Sequence, residues 1–449
     1  MPSFPPFVEE PPRRIPVLGE YDVAVLGGGP AGIAASVAAS RRGMRTFLAE
    51  HYGFLGGMGT AAGVTNFCGL HANVHGEMRR VVHGVATDLL ERIARLDGLN
   101  DPHPVLGKTL AQAYDMPAYK CAADELLASA GVEVLFHARG VQVVKDDARR
   151  IGAMVLETRS GRGAVRARCF IDCSGDGDLA ALAGARTEKG DGAGNMLYPT
   201  LMFRVNGVDP GRAREALQAI PRLMEEAAAE GTFAFPRKSV IVRPQKNPIE
   251  WRVNVTQLSN ADGSPVDGTD AAQVSRAERE GRRQVVDYFR FLKSRVPGFE
   301  HAYIVDIAPQ LGIRETRRVT CDYMVSGEDV IGCRDFDDTI GVNGWPLEIH
   351  VAGDVRWVWP AIPESRGFNQ LPFRMIRPVG LDNLLVAGRC AGMTHEGQSA
   401  ARVSGPCFVM GQAAGTAAAL ALASGKIPRD IDIAALQHAL QSDGAWLGR

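Results

Sequence analysis

The 449-residue chain lacks charge of one sign: 50 basic residues stand against 51 acidic ones, for a net charge of −1. No broad attraction to nucleic acid or to an anionic membrane is expected of such a sequence. It also lacks an uninterrupted apolar run of the roughly 20 residues that span a bilayer, so no membrane span is expected. The start, Met1-Pro2-Ser3-Phe4-Pro5-Pro6, has neither the basic nor the apolar region of a signal peptide, which makes the cytoplasm the expected compartment. Eight cysteines are present without one Cys-x-x-Cys pair, which argues against zinc, cubane iron–sulfur and dithiol redox sites. Cys169 and Cys173 read instead as core thiols on one side of a strand. His71, His75 and His83 fall close together, but no carboxylate follows at ligand spacing, so no metal is expected.

What is present begins with Val23-Ala24-Val25-Leu26-Gly27-Gly28-Gly29-Pro30-Ala31-Gly32. An apolar strand feeds Gly-x-Gly-x-x-Gly and then an alanine-rich helix, the arrangement of a dinucleotide cradle. Gly27 can take the tight turn, Gly29 lets a pyrophosphate approach the backbone, and Gly32 lets the helix pack on the sheet. Pro30 and Ala31 open the helix, whose free N–H groups suit an anion without a basic side chain. A second apolar run, Thr46 to Ala49, ends at Glu50, placed to accept hydrogen bonds from a ribose; an acid there fits FAD or NAD better than NADP. Immediately after it, Leu55-Gly56-Gly57-Met58 is glycine-rich enough to pass close to a large planar ligand. Ile171 to Asp178, with Ser174 and Gly175, and the later Val386-Ala387-Gly388-Arg389 read as further strand ends returning to the same nucleotide. Four returns imply a ligand as long as FAD.

On these segments, together with Leu311 to Arg318 and Met410 to Gly415, the chain resembles the FAD-dependent oxidoreductases with a glutathione-reductase-type flavin domain, and more distantly the succinate dehydrogenase and fumarate reductase flavoproteins. That resemblance implies an α/β fold: a Rossmann-like FAD-binding domain, with a parallel sheet and a β meander, plus an inserted α+β substrate domain. It also implies that backbone near Val141 holds the adenine. A fold and cofactor label of this kind covers many chemistries.

The organisation expected is a proline-rich arm over residues 1–20, suited to packing on a second copy of the chain, then FAD-binding segments at 21–190 and 354–449 flanking a substrate domain at 191–353. The meander is legible as Val132–Phe136, Gly140–Val144, Ile151–Leu156 and Ala164–Ile171. An apolar small-residue helix from Arg402 to Ala423 would aim its free amides, near Val403, at the flavin pyrimidine edge.

For catalysis, His395 is the candidate acid/base or positioning residue, in the loop between the last nucleotide strand and that helix. Arg314 is a candidate substrate grip, since arginine suits bidentate carboxylate recognition. For Arg402 that role is what the resemblance to succinate dehydrogenase and fumarate reductase implies, whose corresponding region carries histidine and arginine residues that grip a dicarboxylate. On a strand Arg314, Thr316 and Arg318 would share one face. Trp345, Trp357 and Trp359 read as cover for the domain junction. Covalent FAD attachment through His51, His71 or Cys68 is left open. No second Gly-x-Gly-x-x-Gly follows a strand, so a built-in NAD(P)H domain is not expected. The reading is a dehydrogenase or oxidase taking a hydride from a small polar, carboxylate-bearing substrate to flavin N5, with oxygen or a separate acceptor taking the electrons. Alternatives are a monooxygenase using NAD(P)H transiently and a non-catalytic FAD-containing binding protein.

Overall fold

A computed structural model describes residues 8–449. Strand β1 (Val17–Leu26) runs parallel to β2 (Thr46–Ala49), and helix α1 (Pro30–Arg41) crosses between them. Val23, Ala24 and Val25 are wholly buried, as strands covered on both faces must be. Helix α2 (Met116–Ala130) is capped by Asp115, whose side chain accepts from the Ala118 amide, and leads into β3 (Glu133–Leu135), parallel to β2.

Strands β4 (Arg139–Lys145), β5 (Ile151–Thr158) and β6 (Gly161–Asp172) form an antiparallel meander. The first half of β6 pairs with β5, and its buried end pairs in parallel with a strand from far along the chain, Leu384–Val386. The meander therefore has three strands rather than four. The run Val132–Phe136 belongs to the parallel sheet, because a helical crossover returns it beside β2. The amino-terminal arm is shorter than expected: Val17–Glu20 already lie in β1, beside Ala164–Arg166, so the extended segment ends at Pro16. Its first prolines lie outside the described residues.

A second core contains β7 (Phe203–Asn206), β8 (Ile241–Pro244), β9 (Trp251–Asn254) and β10 (Tyr303–Ile307), in the order β8-β9-β7-β10. Helix α3 (Ala271–Arg295), capped by Asp270, belongs to the same core through Ala277, Gly281, Val285, Tyr288 and Leu292, an apolar stripe at helical spacing. This core runs from Leu201 to Leu311; Val319, Val325, Val342 and Ile349 pack into the first core instead. The separately packed unit is thus narrower than residues 191–353.

The chain then forms a hairpin, β11 (Leu347–Val351) with β12 (Asp354–Val358), and returns to the main sheet as β13 (Leu384–Val386). Helix α4 (His395–Ala401), capped by Thr394, occupies the expected loop, and α5 starts at Ser404 and ends at Ala423. Among the described residues α5 is the one helix with the length and apolarity of a membrane span, and it is mostly buried. Its glycines explain where it lies. A Cβ on Gly411 or Gly415 would come within 2.1 Å of the carbonyl oxygens of Ala31 and Ala35, so α5 presses against α1 backbone to backbone.

Candidate functional site

A cleft runs from the glycine loop before α1 to the sheet of the second core. At its nucleotide end, Gly27 has φ +100°, and a Cβ there would meet the Cys173 carbonyl oxygen at 2.4 Å. Gly32 is equally constrained, with a hypothetical Cβ 1.8 Å from the Gly27 carbonyl oxygen. Gly29 is different. A Cβ there would meet only Gly57, at an ordinary 3.6 Å, so its bareness serves the space between the two glycine loops. The Gly56 amide bonds the Gly28 carbonyl at 2.9 Å and ties those loops together.

Glu50 is buried. Its Oε2 accepts from the Gly28 amide at 2.6 Å and its Oε1 from the Tyr52 amide at 2.9 Å. Oε1 also has His51 Nδ1 at 2.9 Å, while Oε2 keeps a second lone pair, so acceptor capacity for a ribose hydroxyl remains. Gly27, Gly29, Pro30, Ala31, Glu50, Gly57, Met58, Ser174, Gly175, Gly388, Arg389 and Val403 all line the cleft. Gly32, Gly56, Val141 and Asp178 do not; the two glycines shape its wall from behind, and Asp178 pairs with Arg317. Arg389 is neutralised by Asp176 at 2.8 Å and bonds Thr316 at 3.0 Å. Two facing glycine loops, a helix amino terminus and a buried acid fit FAD, with Ser174, Gly175, Gly388 and Arg389 completing the wall.

The carboxyl-proximal helix contributes less backbone than expected. The Gly405 amide is taken by the Cys68 carbonyl at 2.8 Å, and Ser404 Oγ bonds both polar groups of the Cys68 backbone. The Val403 and Ser404 amides remain at that end of the cleft. Cys68 and His51 line the cleft and His71 does not; burial pushes the Cys68 thiol up to about 12, so it is protonated at neutral pH.

Arg314 and Arg402 are both on the cleft wall. Arg314 donates to the Tyr198 carbonyl at 2.5 Å and has no carboxylate partner among the described residues. The expected strand is absent there: only Arg318 and Val319 are extended, and the three arginines part company. Arg317 holds Asp178, while Arg318 forms a buried pair with Glu315 and donates to the Met393 carbonyl at 3.0 Å.

His395 is not on the cleft wall. Its Nδ1 lies 2.9 Å from Glu315 Oε2, and the same carboxylate accepts the amides of Gly190 and Leu197. The His395–Glu315–Arg318 group ties α4 to the backbone at Gly190 and Leu197.

Residues missed in the sequence complete the wall: Arg243 on β8, Arg252 on β9, and Glu348 and His350 on β11. Glu348 and His350 are two apart on one strand and so face the same way. His350 Nε2 bonds Glu348 Oε1 at 3.0 Å, and Trp345 Nε1 donates to Glu348 Oε2 at 2.9 Å. Burial alone would raise the Glu348 carboxyl; the hydrogen bond from His350, with Arg402 and Trp345, holds it well below the usual range. Burial, then the nearby Arg314, pushes His350 well below its ordinary value. The pair is a carboxylate and a neutral imidazole. Trp345 and Trp357 also line the cleft, rather than only covering a junction. A signal for the pair was readable: in Leu347-Glu348-Ile349-His350-Val351 an acid and a histidine alternate with apolar residues. Arg243 and Arg252 carry no local motif and meet only through sheet pairing.

A dinucleotide fold whose two facing glycine loops open onto a long cleft with arginines, an acid and a histidine on its wall fits a flavin enzyme. The chain belongs to the family described as FAD dependent oxidoreductase, whose pattern matches residues 22–440. It is 29% identical over 161 residues to the mitochondrial dihydrolipoyl dehydrogenase of Schizosaccharomyces pombe, a match covering 35% of this chain and 28% of that enzyme. Similar solved structures include a geranylgeranyl bacteriochlorophyll reductase-like protein from Thermoplasma acidophilum (14% identity, TM-score 0.47, 95% of this chain and 82% of that one). Another is p-nitrophenol 4-monooxygenase from Pseudomonas putida (12% identity, TM-score 0.46, 96% and 89%).

Proposed function

We propose that this FAD-dependent oxidoreductase is a dehydrogenase or oxidase that takes a hydride from a small carboxylate-bearing substrate. The observation that carries this reading is the placing of Arg314 and Arg402 beside the Glu348–His350 pair on one wall of the cleft that begins at the nucleotide loops. Bound FAD supplies the hydride acceptor; the protein supplies position, charge and proton handling.

Arg314 and Arg402 hold the substrate carboxylate in a planar grip. His350 donates Nε2–H to ionised Glu348, which fixes the tautomer and leaves Nδ1 as a lone-pair base. As the substrate gives up its hydride, His350 Nδ1 takes the proton from the adjoining hydroxyl or amine. Glu348 steadies the imidazolium that forms. Trp345, Trp357 and Tyr114 wall the chamber and exclude water. His395 is replaced in this role by His350.

Anaerobic titration of the yellow holoenzyme with small hydroxy acids, amino acids and saturated acids tests the reading. Bleaching by one carboxylate class without NAD(P)H is the expected result. Bleaching by NAD(P)H alone would overturn it in favour of a monooxygenase or reductase.

A further inference from the structure

We propose that Asn254 selects an oxygen as the reacting group of the substrate, an alcohol rather than an amine, with Arg237 as the positioning residue that fixes its amide; this rests on the reading of the cleft as the site of hydride transfer. Asn254 ends β9, is buried and lines the cleft. A side-chain amide can present either end to a ligand, and its neighbours decide which. Arg237 Nη1 lies 3.0 Å from Asn254 Oδ1, and because arginine carries only donors, the oxygen must be the end that faces it. The Thr200 hydroxyl lies 3.2 Å from the same oxygen. The Nδ2 group, with two N–H donors, is left without a protein partner among the described residues, on a side chain that borders the cleft.

Arg237 is 1% exposed and has no carboxylate within ion-pair distance among the described residues, so its burial is costly to the fold. It is held firmly all the same. Its Nε donates to Ser239 Oγ at 2.9 Å, and the Tyr288 hydroxyl of α3 donates to its carbonyl at 2.7 Å. The surrounding backbone is tied to the β11–β12 hairpin that carries Glu348 and His350: the Lys238 amide donates to the Gly353 carbonyl at 3.0 Å, and Gln257 Nε2 to the Val351 carbonyl at 2.6 Å. After burial and Arg314, Arg237 also adds to the influences that keep His350 below its ordinary value. One buried guanidinium thus neighbours both the base and the amide.

When an alcohol is oxidised, its C–H leaves as hydride to bound FAD, its O–H proton goes to His350 Nδ1, and a carbonyl forms. The oxygen offers lone pairs to Asn254 Nδ2 throughout, most strongly while negative charge develops on it. An ammonium group brings only further donors, and Arg314 on the same wall repels it.

The probes are the α-keto acids pyruvate, α-ketobutyrate and α-ketoisocaproate, each beside the matching saturated acid and amino acid, measured on the oxidised holoenzyme by calorimetry and by perturbation of the flavin spectrum. In at least one series the keto acid should bind about fivefold or more tightly than the saturated acid, the order of one net hydrogen bond, and the amino acid no better than the saturated acid. Asn254→Asp puts an acceptor of the same shape in place of the donor. It should remove the keto-acid preference and favour the amino acid, with a melting temperature that holds or rises because the new carboxylate pairs with Arg237. Arg237→Gln, which leaves Asn254 in place without its orienting charge, should shrink the preference to about twofold or less. No keto-acid preference in any series, a preference unchanged in Asn254→Asp, or a fall of several degrees in that variant would each overturn the proposal, the last because Nδ2 would then be the end bonded to protein. Bleaching by an amino acid would overturn it too and leave the dehydrogenase reading standing. A keto-acid preference without bleaching by any hydroxy acid would instead sink the dehydrogenase reading while the donor at Asn254 stands.

Discussion

His350 and His395 show how partners decide a histidine's part. Each bonds a glutamate, but Glu315 is buried, already matched by Arg318 and faces loop backbone, whereas Glu348 and His350 line the cleft. His350→Gln should retain FAD and lose about 10²- to 10⁴-fold in kcat, the usual share of a general base. The wild-type rate should stay level from pH 8 to 6.5, since His350 titrates well below its ordinary value; a limb near pH 6.5 in the kcat/KM profile would contradict its assignment. His395→Ala should keep kcat within a few fold and lower the melting temperature, because Glu315 loses one of its buried partners. Loss of turnover with unchanged stability in that variant would return His395 to the catalytic list.

At the level of elements, the first glycine loop separates two duties that share one motif. Gly32 is where α1 touches the turn, and any side chain there collides with the Gly27 carbonyl. Gly29 faces the second glycine loop, and a Cβ there would meet Gly57 at no closer than ordinary contact distance. Gly29→Val should therefore fold and purify without FAD, whereas Gly32→Val should lose both FAD and several degrees of melting temperature. Circular dichroism melts beside the flavin absorbance of the two variants distinguish the cases. A flavin-loaded Gly29→Val protein would contradict the cradle.

The parallel sheet and the glycine loops were legible in the sequence because their physics is local: apolar strand, tight turn and helix start are consecutive residues. The meander boundary was not, because Val132–Phe136 has the same strand pattern whether it pairs with β2 or with β4. The loop expected around His395 became a helix because Thr394 caps it, its side chain accepting from the Gly397 amide, a signal overlooked beside the glycine. The Arg314 strand failed because Arg314, Arg317 and Arg318 find separate partners, and side-chain demands overrode alternation.

Across the whole molecule, the far wall of the cleft is assembled from four stretches that share no sequence neighbourhood, Arg243–Arg252, Arg314, Glu348–His350 and Arg402, so single members were readable in the sequence but their meeting was not. Buried histidines beside arginines bear on stability. His103 is lowered to about 4 by burial, then by Arg243 and Arg252, and His71 is lowered to about 4 by burial, then by Arg80. Both are neutral in the folded chain at pH 6, whereas an unfolded histidine takes up its proton near pH 6.5. Between roughly pH 6.5 and 4 the unfolded state thus binds more protons at these two positions, and stability falls as pH falls. Asp172 opposes this: burial raises its carboxyl to about 6, so below that pH the folded state takes up a proton the unfolded chain does not yet bind. With two histidines against one carboxyl, the balance of these three groups is loss of stability on acidification. His71 Nδ1 is buried without a hydrogen-bond partner, so His71→Gln removes a titrating group and leaves no acceptor behind on the ring's neighbours. Calorimetric melts from pH 7 to 5 should show a shallower fall in melting temperature for His71→Gln than for the parent chain; parallel slopes would mean that His71 is charged in the fold and that the field around it is weaker than its burial implies.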